Sequence, residues 1–209
     1  MSETIHSKNR TNTAGQEPRR IIVGISGATG IVLGIRLLET LRALDVETHL
    51  VVSNPGHATR AYETDLSRQE LLALADYNYG IGDFGAAISS GSFRTSGMII
   101  APCSVRSLAE IATGVTTGLL TRAADVVLKE RRKLVLMVRE APLHIGHIRN
   151  MAAVTEAGGI IMPPVPAFYQ RPASIGDMVD HMVARTLDLF DISVPGFPRW
   201  GEEADEPFR

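Results

Sequence analysis

An arginine and a glutamate directly follow a short apolar run in the second half of the chain. Leu134–Val138 is apolar throughout, and Arg139 and Glu140 come next, with Pro142 two positions later. Because ligands in open α/β sheets bind at the carboxyl ends of strands, this pair stands where chemistry is usually done. A guanidinium there can bind a phosphate, and a carboxylate can donate or accept a proton. Taken alone, the pair is explained at least as well by a surface ion pair that closes a strand.

A turn of small residues follows the first apolar run, Ile21–Ile25, and reads Ser-Gly-Ala-Thr-Gly from Ser26 to Gly30. Small residues let the backbone approach an anion closely, and a following helix offers free N–H groups and its positive dipole end. The spacing differs from the dinucleotide fingerprint, and no P-loop lysine follows. We interpret the turn as a site for a mononucleotide phosphate or a flavin edge, with a purely structural tight turn as the alternative.

A third motif, Pro-Cys-Ser-Val-Arg-Ser, ends another apolar run. Ser104 and Ser107 can cap a helix, or they can present hydroxyl and N–H groups to a ring or a phosphate. Cys103 has no histidine at a recognisable spacing, so we interpret it as a buried, inert thiol. His144 and His147 lack further ligands at metal-binding spacing, which favours surface or supporting roles over a metal site.

Charged residues also recur along the predicted helix Thr121–Glu130. An apolar stripe facing the core and a solvated charged face explain this pattern without any function. Arg122 and Lys129 nevertheless lie two turns apart on one side, so both can reach toward one anionic ligand. From spacing alone, the solvated face is the favoured interpretation.

Strand-like and helix-like patterns alternate along the chain. The predicted strands are Ile21–Ile25, Val46–Ser53, Met98–Pro102, Leu134–Val138 and Gly159–Met162. The predicted helices are Ile31–Leu44, His57–Glu63, Ser67–Asp76, Ser104–Ile111, Thr121–Glu130, Ile145–Ala157 and Ser174–Phe190. Near-continuous apolar strands separated by helices predict an α/β domain with a doubly wound, mostly parallel sheet. Asn54-Pro55-Gly56 predicts a turn, and Ser67 with Glu70 predicts a capping box.

Composition is that of an ordinary globular protein. The 209 residues are 44% hydrophobic and 21% charged, with a net charge of −2, so no basic field indicates nucleic acid. No apolar run is long enough to span a bilayer, and a lone cysteine fits a reducing cytoplasm. We expect one domain over residues 21–190. Residues 1–20 are predicted to be a flexible tail without a signal peptide, and residues 191–209 a C-terminal tail at a subunit contact.

Seven segments, taken in order, resemble the UbiX-type flavin prenyltransferases. They are Gly27–Gly30, Glu63–Asp65, Ser89–Ser92, Pro102–Ser104, Arg122–Glu130, Arg139–Leu143 and Pro163–Tyr169. The Arg-Ala-Ala-Asp-Val and Pro-Ala-Phe-Tyr stretches are more specific than the glycine turn. The resemblance implies a flavodoxin-like or Rossmann-like three-layer protomer, assembled into a homododecamer with sites at subunit contacts. It also implies synthesis of prenylated FMN from reduced FMN and dimethylallyl phosphate, without a metal, for a UbiD-type decarboxylase.

The same resemblance implies roles for individual residues. Those matching FMN-binding positions are Gly27, Ala28, Thr29, Ser53, Ser104, Val105, Arg106, Ser107 and Arg139. Tyr169 and Arg185 match the pair that binds dimethylallyl phosphate. Charged residues of the reaction chamber are matched by Arg122, Lys129, Glu140 and Glu63, the last offered from a neighbouring subunit.

Three departures from the family pattern and two alternative functions remain open. Thr29 replaces a frequent serine, Leu33 replaces a frequent tyrosine, and Asn54-Pro55 follows Ser53 where Ser-Lys-Ala is common. The changes at Asn54 and Leu33 bear on phosphate-tail affinity and prenyl-pocket shape. One alternative is an FMN-dependent cysteine-type decarboxylase, for which His57 is the candidate catalytic histidine. The other is a non-catalytic flavin-binding subunit of a decarboxylase complex. The pathway served, quinone biosynthesis or aromatic-acid breakdown, also stays open.

Overall fold

Six parallel strands form one sheet in the structure, a computed structural model that describes residues 18–197. The strands are β1 (Arg20–Ile25), β2 (Glu47–Val52), β3 (Tyr77–Tyr79), β4 (Gly97–Cys103), β5 (Lys133–Val138) and β6 (Ile160–Ile161). Their order across the sheet is β3-β2-β1-β4-β5-β6. The predicted doubly wound sheet is confirmed, and every described pairing in it is parallel. The order reverses between β1 and β4, and such a reversal leaves a crevice at the carboxyl ends of the strands.

Helices cover both faces of the sheet. They are α1 (Ile31–Ala43), α2 (Asn54–Glu63), α3 (Arg68–Leu72), α4 (Val105–Thr113), α5 (Leu119–Lys129), α6 (Ile145–Glu156) and α7 (Ile175–Asp188). Side chains alternate along β1, so that Val23 joins the core beneath α1 and α7 while Ile22 joins the core beneath α4, α5 and α6. The three layers fix the carboxyl end of each strand at the same edge. No helix within residues 18–197 is long and apolar enough to cross a membrane.

Between β2 and β4 the structure differs from the sequence prediction in two places. Asn54-Pro55-Gly56 was expected to form a turn, but it is the first turn of α2, with the Ser53 hydroxyl accepting from Gly56 N at 3.0 Å. Proline fits the start of a helix because its missing N–H would have had no partner there. The three-residue edge strand β3 was not predicted from the sequence. The capping box of Ser67 and Glu70 is confirmed.

The predicted tails are only partly described. Residues 1–17 and 198–209 lie outside the described residues, and β1 starts at Arg20, one residue inside the predicted N-terminal tail. Ile192, in the predicted C-terminal tail, is 5% exposed and belongs to the core beneath α1 and α7. The ordered domain therefore extends past residue 190, and a role of the tail at a subunit contact stays a prediction.

A buried histidine holds the edge strand to the sheet. His49 on β2 is 2% exposed; its Nδ1 lies 2.8 Å from the Tyr79 hydroxyl, and its Nε2 lies 2.8 Å from Glu47 Oε1. Its ring stacks on Tyr77 with centroids 4.8 Å apart. Burial lowers the pKa of His49 below its ordinary value of 6.5, although the Glu47 carboxylate acts to raise that pKa. The folded protein therefore favours neutral His49.

We expect the protein to lose unfolding free energy as pH falls below about 6.5, and the His49→Gln variant to lose less of it. Protonation of His49 is disfavoured in the folded chain but not in the unfolded chain, so it favours unfolding. This loss of unfolding free energy levels off once the pH is below the lowered pKa of His49 in the folded state. His57 and His181 also have lowered pKa values and act in the same direction, but they are present in both proteins. Chemical denaturation from about pH 8 to about pH 5 measures the difference. Identical pH dependence in both proteins would contradict this account.

Candidate functional site

A cleft of about 610 Å³ opens where the strand order reverses, among the turns that follow β1, β2, β4 and β5. Its volume lies within the usual range for small-molecule sites. All nine residues predicted to contact FMN line it: Gly27, Ala28, Thr29, Ser53, Ser104, Val105, Arg106, Ser107 and Arg139. The predicted reaction residue Glu140 lines it as well. One chain thus brings together the whole predicted flavin group.

Close packing of two turns shapes the floor of the cleft. The Ser26 hydroxyl donates to Pro102 O at 3.0 Å and accepts from Ser104 N at 2.7 Å, which ties the turn after β1 to the turn after β4. A Cβ added at Gly27 would lie 2.3 Å from Pro55 Cβ, so this position tolerates only glycine without a backbone shift. From the sequence, Ser26 was interpreted only as part of a turn, and its hydrogen bonds to the turn after β4 were not predicted.

The motif after β4 begins α4. The Ser104 side chain caps the helix by accepting from Ser107 N at 3.3 Å, and both serines also line the cleft. The two interpretations offered for these serines are therefore compatible. Cys103 is fully buried, and burial raises the pKa of its thiol to about 12, in agreement with an inert thiol.

Arg139 and Glu140 turn into the cleft together. Arg139 N donates to Cys103 O at 3.0 Å, which extends the pairing of β4 and β5 to the cleft floor. Glu140 Oε1 accepts from Ala141 N at 3.1 Å. Glu140 is half-buried and Arg139 is exposed, so both polar heads can reach a ligand. Arg139 and Glu140 therefore both lie at the cleft, whereas the sequence alone was equally compatible with a surface ion pair.

Glu63 binds the amino end of α1 in its own chain. One carboxylate oxygen accepts from Gly30 N at 2.9 Å and from Ile31 N at 3.0 Å. Burial acts to raise the pKa of Glu63, but hydrogen bonds from Thr29 and these two N–H groups, with the Arg139 charge, outweigh it and lower that pKa. Glu63 is therefore ionised at neutral pH.

This contact corrects one expectation about the glycine turn. The N–H groups at the start of α1 were expected to be free for a ligand anion, but those of Gly30 and Ile31 donate to the carboxylate of Glu63. Glu63 also interacts with the Thr29 side chain of the same chain. A contribution of Glu63 to the chamber of a neighbouring subunit stays a prediction.

Arg122 and Lys129 do not line the cleft of their own chain. Arg122 Nη1 pairs with Asp125 Oδ2 at 2.8 Å, and Lys129 pairs with its neighbour Glu130. Leu120, at the start of α5, lines the cleft, and Lys129 lies nine residues further along, about 13 Å along the helix axis. Their predicted role in the reaction chamber stays a prediction.

Tyr169 and Arg185 also lie outside the residues that line the cleft. The Tyr169 ring meets His181 edge to face at a centroid distance of 6.0 Å, and Arg185 Nη1 pairs with Asp188 Oδ2 at 2.8 Å. Both side chains are about half exposed, at 52% for Tyr169 and 51% for Arg185. Their predicted role in binding dimethylallyl phosphate stays a prediction.

The histidines of residues 18–197 form no metal-binding group. Within residues 18–197, no group of three or more His, Cys, Asp or Glu side chains has metal-binding geometry. His144 Nδ1 accepts from Gly146 N at 3.0 Å and caps α6, which is a supporting role. His57, the candidate base of the cysteine decarboxylase alternative, lies in α2 and does not line the cleft.

The departures from the family pattern fall in different environments. Asn54 and Pro55 line the cleft, so their effect on a bound ligand is direct. Leu33 is 3% exposed and belongs to the core beneath α1, so it can change the cleft only through packing.

Comparison with known proteins gives consistent matches. The sequence profile of the Flavoprotein family matches residues 9–187. The flavin prenyltransferase UbiX of Neisseria meningitidis is 56% identical over 187 residues, which cover 90% of this chain and 99% of the relative. The crystal structure of AnUbiX (PadA1) in complex with FMN and dimethylallyl pyrophosphate has a TM-score of 0.88 and 53% identity, covering 90% of this chain and 100% of that one.

Two further structures bear on assembly and on the alternative function. A dodecameric FMN-dependent UbiX-like decarboxylase from Escherichia coli O157:H7 has a TM-score of 0.85 and 50% identity, covering 87% of this chain and 98% of that one. The FMN-dependent cysteine decarboxylase TvaF has a TM-score of 0.57 and 15% identity, covering 79% of this chain and 98% of that one. The second likeness shows the fold alone.

Proposed function

The chain belongs to the Flavoprotein family and, within it, to the UbiX-type flavin prenyltransferases, and from this premise we propose that it joins a dimethylallyl group to reduced FMN. Dimethylallyl phosphate donates the allyl group, N5 and C6 of the flavin receive it, and prenylated FMN is the product. The enzyme is thus a transferase that uses FMN as a substrate.

One observation carries this proposal: a single cleft holds the complete predicted flavin group together with the Arg139–Glu140 pair. A turn in which Gly27 has no space for a side chain brings the backbone close to a flat ligand. Arg139 and Glu140 both line this cleft. Binding of a flavin alone does not require a carboxylate beside the arginine. The residues present therefore fit both FMN and a reaction upon it.

The proposed chemistry separates charge, and the charged residues of the site match it. When the allylic C–O bond breaks, the electron pair leaves with the phosphate and an allylic cation remains. Arg185 can stabilise the phosphate, and Glu140 as a carboxylic acid can protonate it. The allyl carbon then bonds to flavin N5, which loses its proton. For ring closure the remaining double bond takes up a proton, its tertiary carbon bonds to C6, and C6 loses its proton. Glu140 or the released phosphate can accept that proton.

Assembly completes the site in this proposal. Tyr169, Arg185 and Lys129 lie outside the cleft of their own chain, so another copy must supply them if they act in the reaction. Large apolar side chains are exposed on the same surface regions, among them Phe168 at 70% and Ile175 at 77%. Exposed apolar groups of this size favour burial between subunits. We propose a dodecamer, as in the related Escherichia coli structure.

The product is proposed to leave for a UbiD-type decarboxylase. The cysteine decarboxylase alternative loses support because His57 does not line the cleft. A carrier role does not account for the Arg139–Glu140 pair at the flavin cleft. The cytoplasmic location predicted from the sequence stays a prediction.

Release of inorganic phosphate from dimethylallyl phosphate tests the proposed reaction. We expect phosphate to appear only when reduced FMN is present under anaerobic conditions. Oxidised FMN is the control, because it is the weaker electron donor at N5. Carbon dioxide release from a cysteinyl peptide, with no phosphate release from the allyl donor, would support the decarboxylase alternative and contradict the proposal.

Arg185→Ala and Tyr169→Phe should weaken use of dimethylallyl phosphate and leave FMN binding unchanged. A charge-assisted contact to phosphate contributes about 1.5–3 kcal/mol, so Arg185→Ala should raise the KM for the allyl donor about ten- to a hundredfold. Asp180→Asn is the matched control, because Asp180 lies on the same helix and pairs with Arg36. A loss of FMN affinity without any change in the donor KM would mean that the two subsites are exchanged.

A further inference from the structure

A loop of small residues, Ser89–Ser92, packs against the last turn of α5. It belongs to the segments that resemble the family, but none of the predicted site residues lies in it. A Cβ added at Gly91 would overlap the carboxylate of Glu130 and lie 2.8 Å from Lys129 Nζ. The backbone of Gly91 therefore lies directly against the ion pair that Lys129 makes with Glu130.

Arg132 holds this loop through two backbone carbonyls. Its Nη2 donates to Gly91 O at 2.7 Å, and its Nη1 donates to Phe93 O at 2.7 Å. Charge-assisted hydrogen bonds from both arms of a planar guanidinium fix direction as well as distance. The two bonds join residues 41 and 39 positions apart, so one side chain fastens the loop to the segment between α5 and β5.

The end of α5 brings Arg132 to the loop. Arg132 N donates to Val127 O at 2.9 Å and Arg131 N donates to Leu128 O at 3.0 Å, which is the pairing of a Schellman motif. This motif needs a left-handed residue after the helix, and Arg131 takes that conformation with a φ of 56° although it is not a glycine. Neighbouring contacts must stabilise such a conformation, and the two hydrogen bonds of Arg132 to the loop do so from the next residue.

The far end of the loop is anchored by an aromatic ring. The Phe93 ring meets the buried His49 ring edge to face at a centroid distance of 5.0 Å, and the Arg20 guanidinium lies 5.2 Å from the Phe93 centroid. Because Phe93 is fixed to the sheet in this way, its carbonyl is a rigid acceptor for Arg132.

The loop and Arg132 together restrict the Lys129 ammonium. Lys129 is 48% exposed, and its flexible stem would otherwise allow many positions. The hydrogen bond and charge of Lys129 lower the pKa of Glu130, and the Arg132 charge acts in the same direction, so Glu130 is ionised at neutral pH. The Glu130 carboxylate and the Gly91 backbone therefore confine the ammonium from two sides.

We propose that Arg132 is a positioning residue for the transfer reaction: it holds Gly91 and Phe93, and the loop keeps the Lys129 ammonium where it can act on the allyl phosphate. The inference rests on the proposed function for the role of Lys129. Arg132 acts only through the loop and Lys129. None of the three lines the flavin cleft of its own chain, so flavin binding should not depend on them.

The Arg132→Ala variant should lower kcat/KM for dimethylallyl phosphate about three- to thirtyfold and leave the FMN dissociation constant within about twofold. Arg132→Lys keeps the charge and can bond one carbonyl, so it should recover part of the loss. Arg131→Gly is the matched control, because it removes the same charge from the neighbouring residue and suits the left-handed conformation. That control should react at the wild-type rate. Steady-state kinetics with reduced FMN under anaerobic conditions measures all three variants.

Gly91→Ala tests the same contact without a change of charge. The added Cβ meets the ends of two flexible side chains, so the fold can accept it while Lys129 and Glu130 shift. Its kcat/KM for dimethylallyl phosphate should fall as in Arg132→Ala. Gly85→Ala is the control, because the nearest atom to a Cβ there is Asp83 Oδ1 at 3.5 Å, an ordinary contact. Wild-type kinetics in a folded Gly91→Ala variant would contradict the inference.

Combining Arg132→Ala with Lys129→Ala separates positioning from an independent role. If Arg132 acts through Lys129, the double variant should match Lys129→Ala alone within about twofold. Multiplied losses, or a loss of FMN affinity in Arg132→Ala, would overturn the inference.

Backbone hydrogen exchange over residues 89–93 tests the clamp without any turnover. Exchange should be faster in Arg132→Ala than in the wild type and unchanged in Arg131→Gly. Equal exchange in all three proteins would mean that Arg132 does not hold the loop. A wild-type protein that does not prenylate FMN would refute the proposed function, while the exchange result would still decide whether Arg132 holds the loop.

Discussion

Glu140→Gln should slow product formation about 10²–10⁴-fold while both substrates still bind, which is the usual effect of removing a general acid–base residue. Glutamine keeps the size and the hydrogen bond that Glu140 Oε1 accepts from Ala141 N at 3.1 Å, but it cannot donate an acidic proton. Single-turnover kinetics with reduced FMN and dimethylallyl phosphate measures the rate. Quenched samples would show whether the reaction stops before or after the bond to N5.

Glu156→Gln serves as the control for this substitution. Glu156 is an exposed residue at the end of α6 and does not line the cleft, so its variant should react at the wild-type rate. Arg139→Ala should instead weaken flavin binding, since the arginine is assigned to the ligand and not to proton transfer. A Gln variant at position 140 with wild-type turnover would make Glu140 a structural partner of Arg139.

Gly27→Asp should abolish FMN binding. A Cβ at this position lies 2.3 Å from Pro55 Cβ, so the turn must move, and the new carboxylate stands in the flavin cleft. Negative charge beside an anionic ligand adds repulsion to this steric effect. Equilibrium titration with FMN measures the loss, and thermal denaturation shows whether the variant is folded.

Two alanine variants separate the packing effect from the charge. Gly27→Ala adds only the Cβ that meets Pro55, so it should still weaken FMN binding. Gly82 lines the same cleft, and a Cβ there has no atom within 4 Å, so Gly82→Ala should bind FMN normally. Unchanged flavin affinity in a folded Gly27→Asp variant would refute the assignment of this turn to the flavin.

The sequence predicted the sheet well because buried parallel strands leave a strong signal. β1, β4 and β5 are nearly continuous apolar runs, and each is followed by small or polar residues. β3 gave no such signal, because three residues at a sheet edge are too few for a pattern. The turn predicted at Asn54-Pro55-Gly56 was wrong because proline marks the start of a helix as readily as a turn.

Within the site, residues next to strand ends could be found and partners distant in sequence could not. Arg139 and Glu140 were identified by their position after β5. The contact of Glu63 with the start of α1 joins residues 32 or 33 positions apart and has no local signal. Arg106 and Glu110 are four residues apart on a predicted helix, so their ion pair could have been read from spacing.

In the proposed assembly, the site that uses Lys129, Tyr169 and Arg185 is shared between chains. Their motifs resemble those of the family, but in a single chain Lys129 pairs with Glu130 and Arg185 pairs with Asp188. No pattern along one sequence specifies which surface of a second copy meets the cleft. Mixing two impaired variants, Glu140→Gln and Arg185→Ala, tests this proposal, since subunits that share sites should recover part of the activity at low donor concentration.

Mass analysis of the flavin extracted after anaerobic incubation tests the central claim most directly. The protein is incubated with reduced FMN and dimethylallyl phosphate, then denatured, and the released flavin is analysed against a sample without the allyl donor. We predict a flavin heavier than FMN by one five-carbon prenyl unit, formed only when protein, reduced flavin and donor are all present. Unmodified FMN as the sole flavin recovered from the complete mixture would contradict the assignment of this chain as a flavin prenyltransferase.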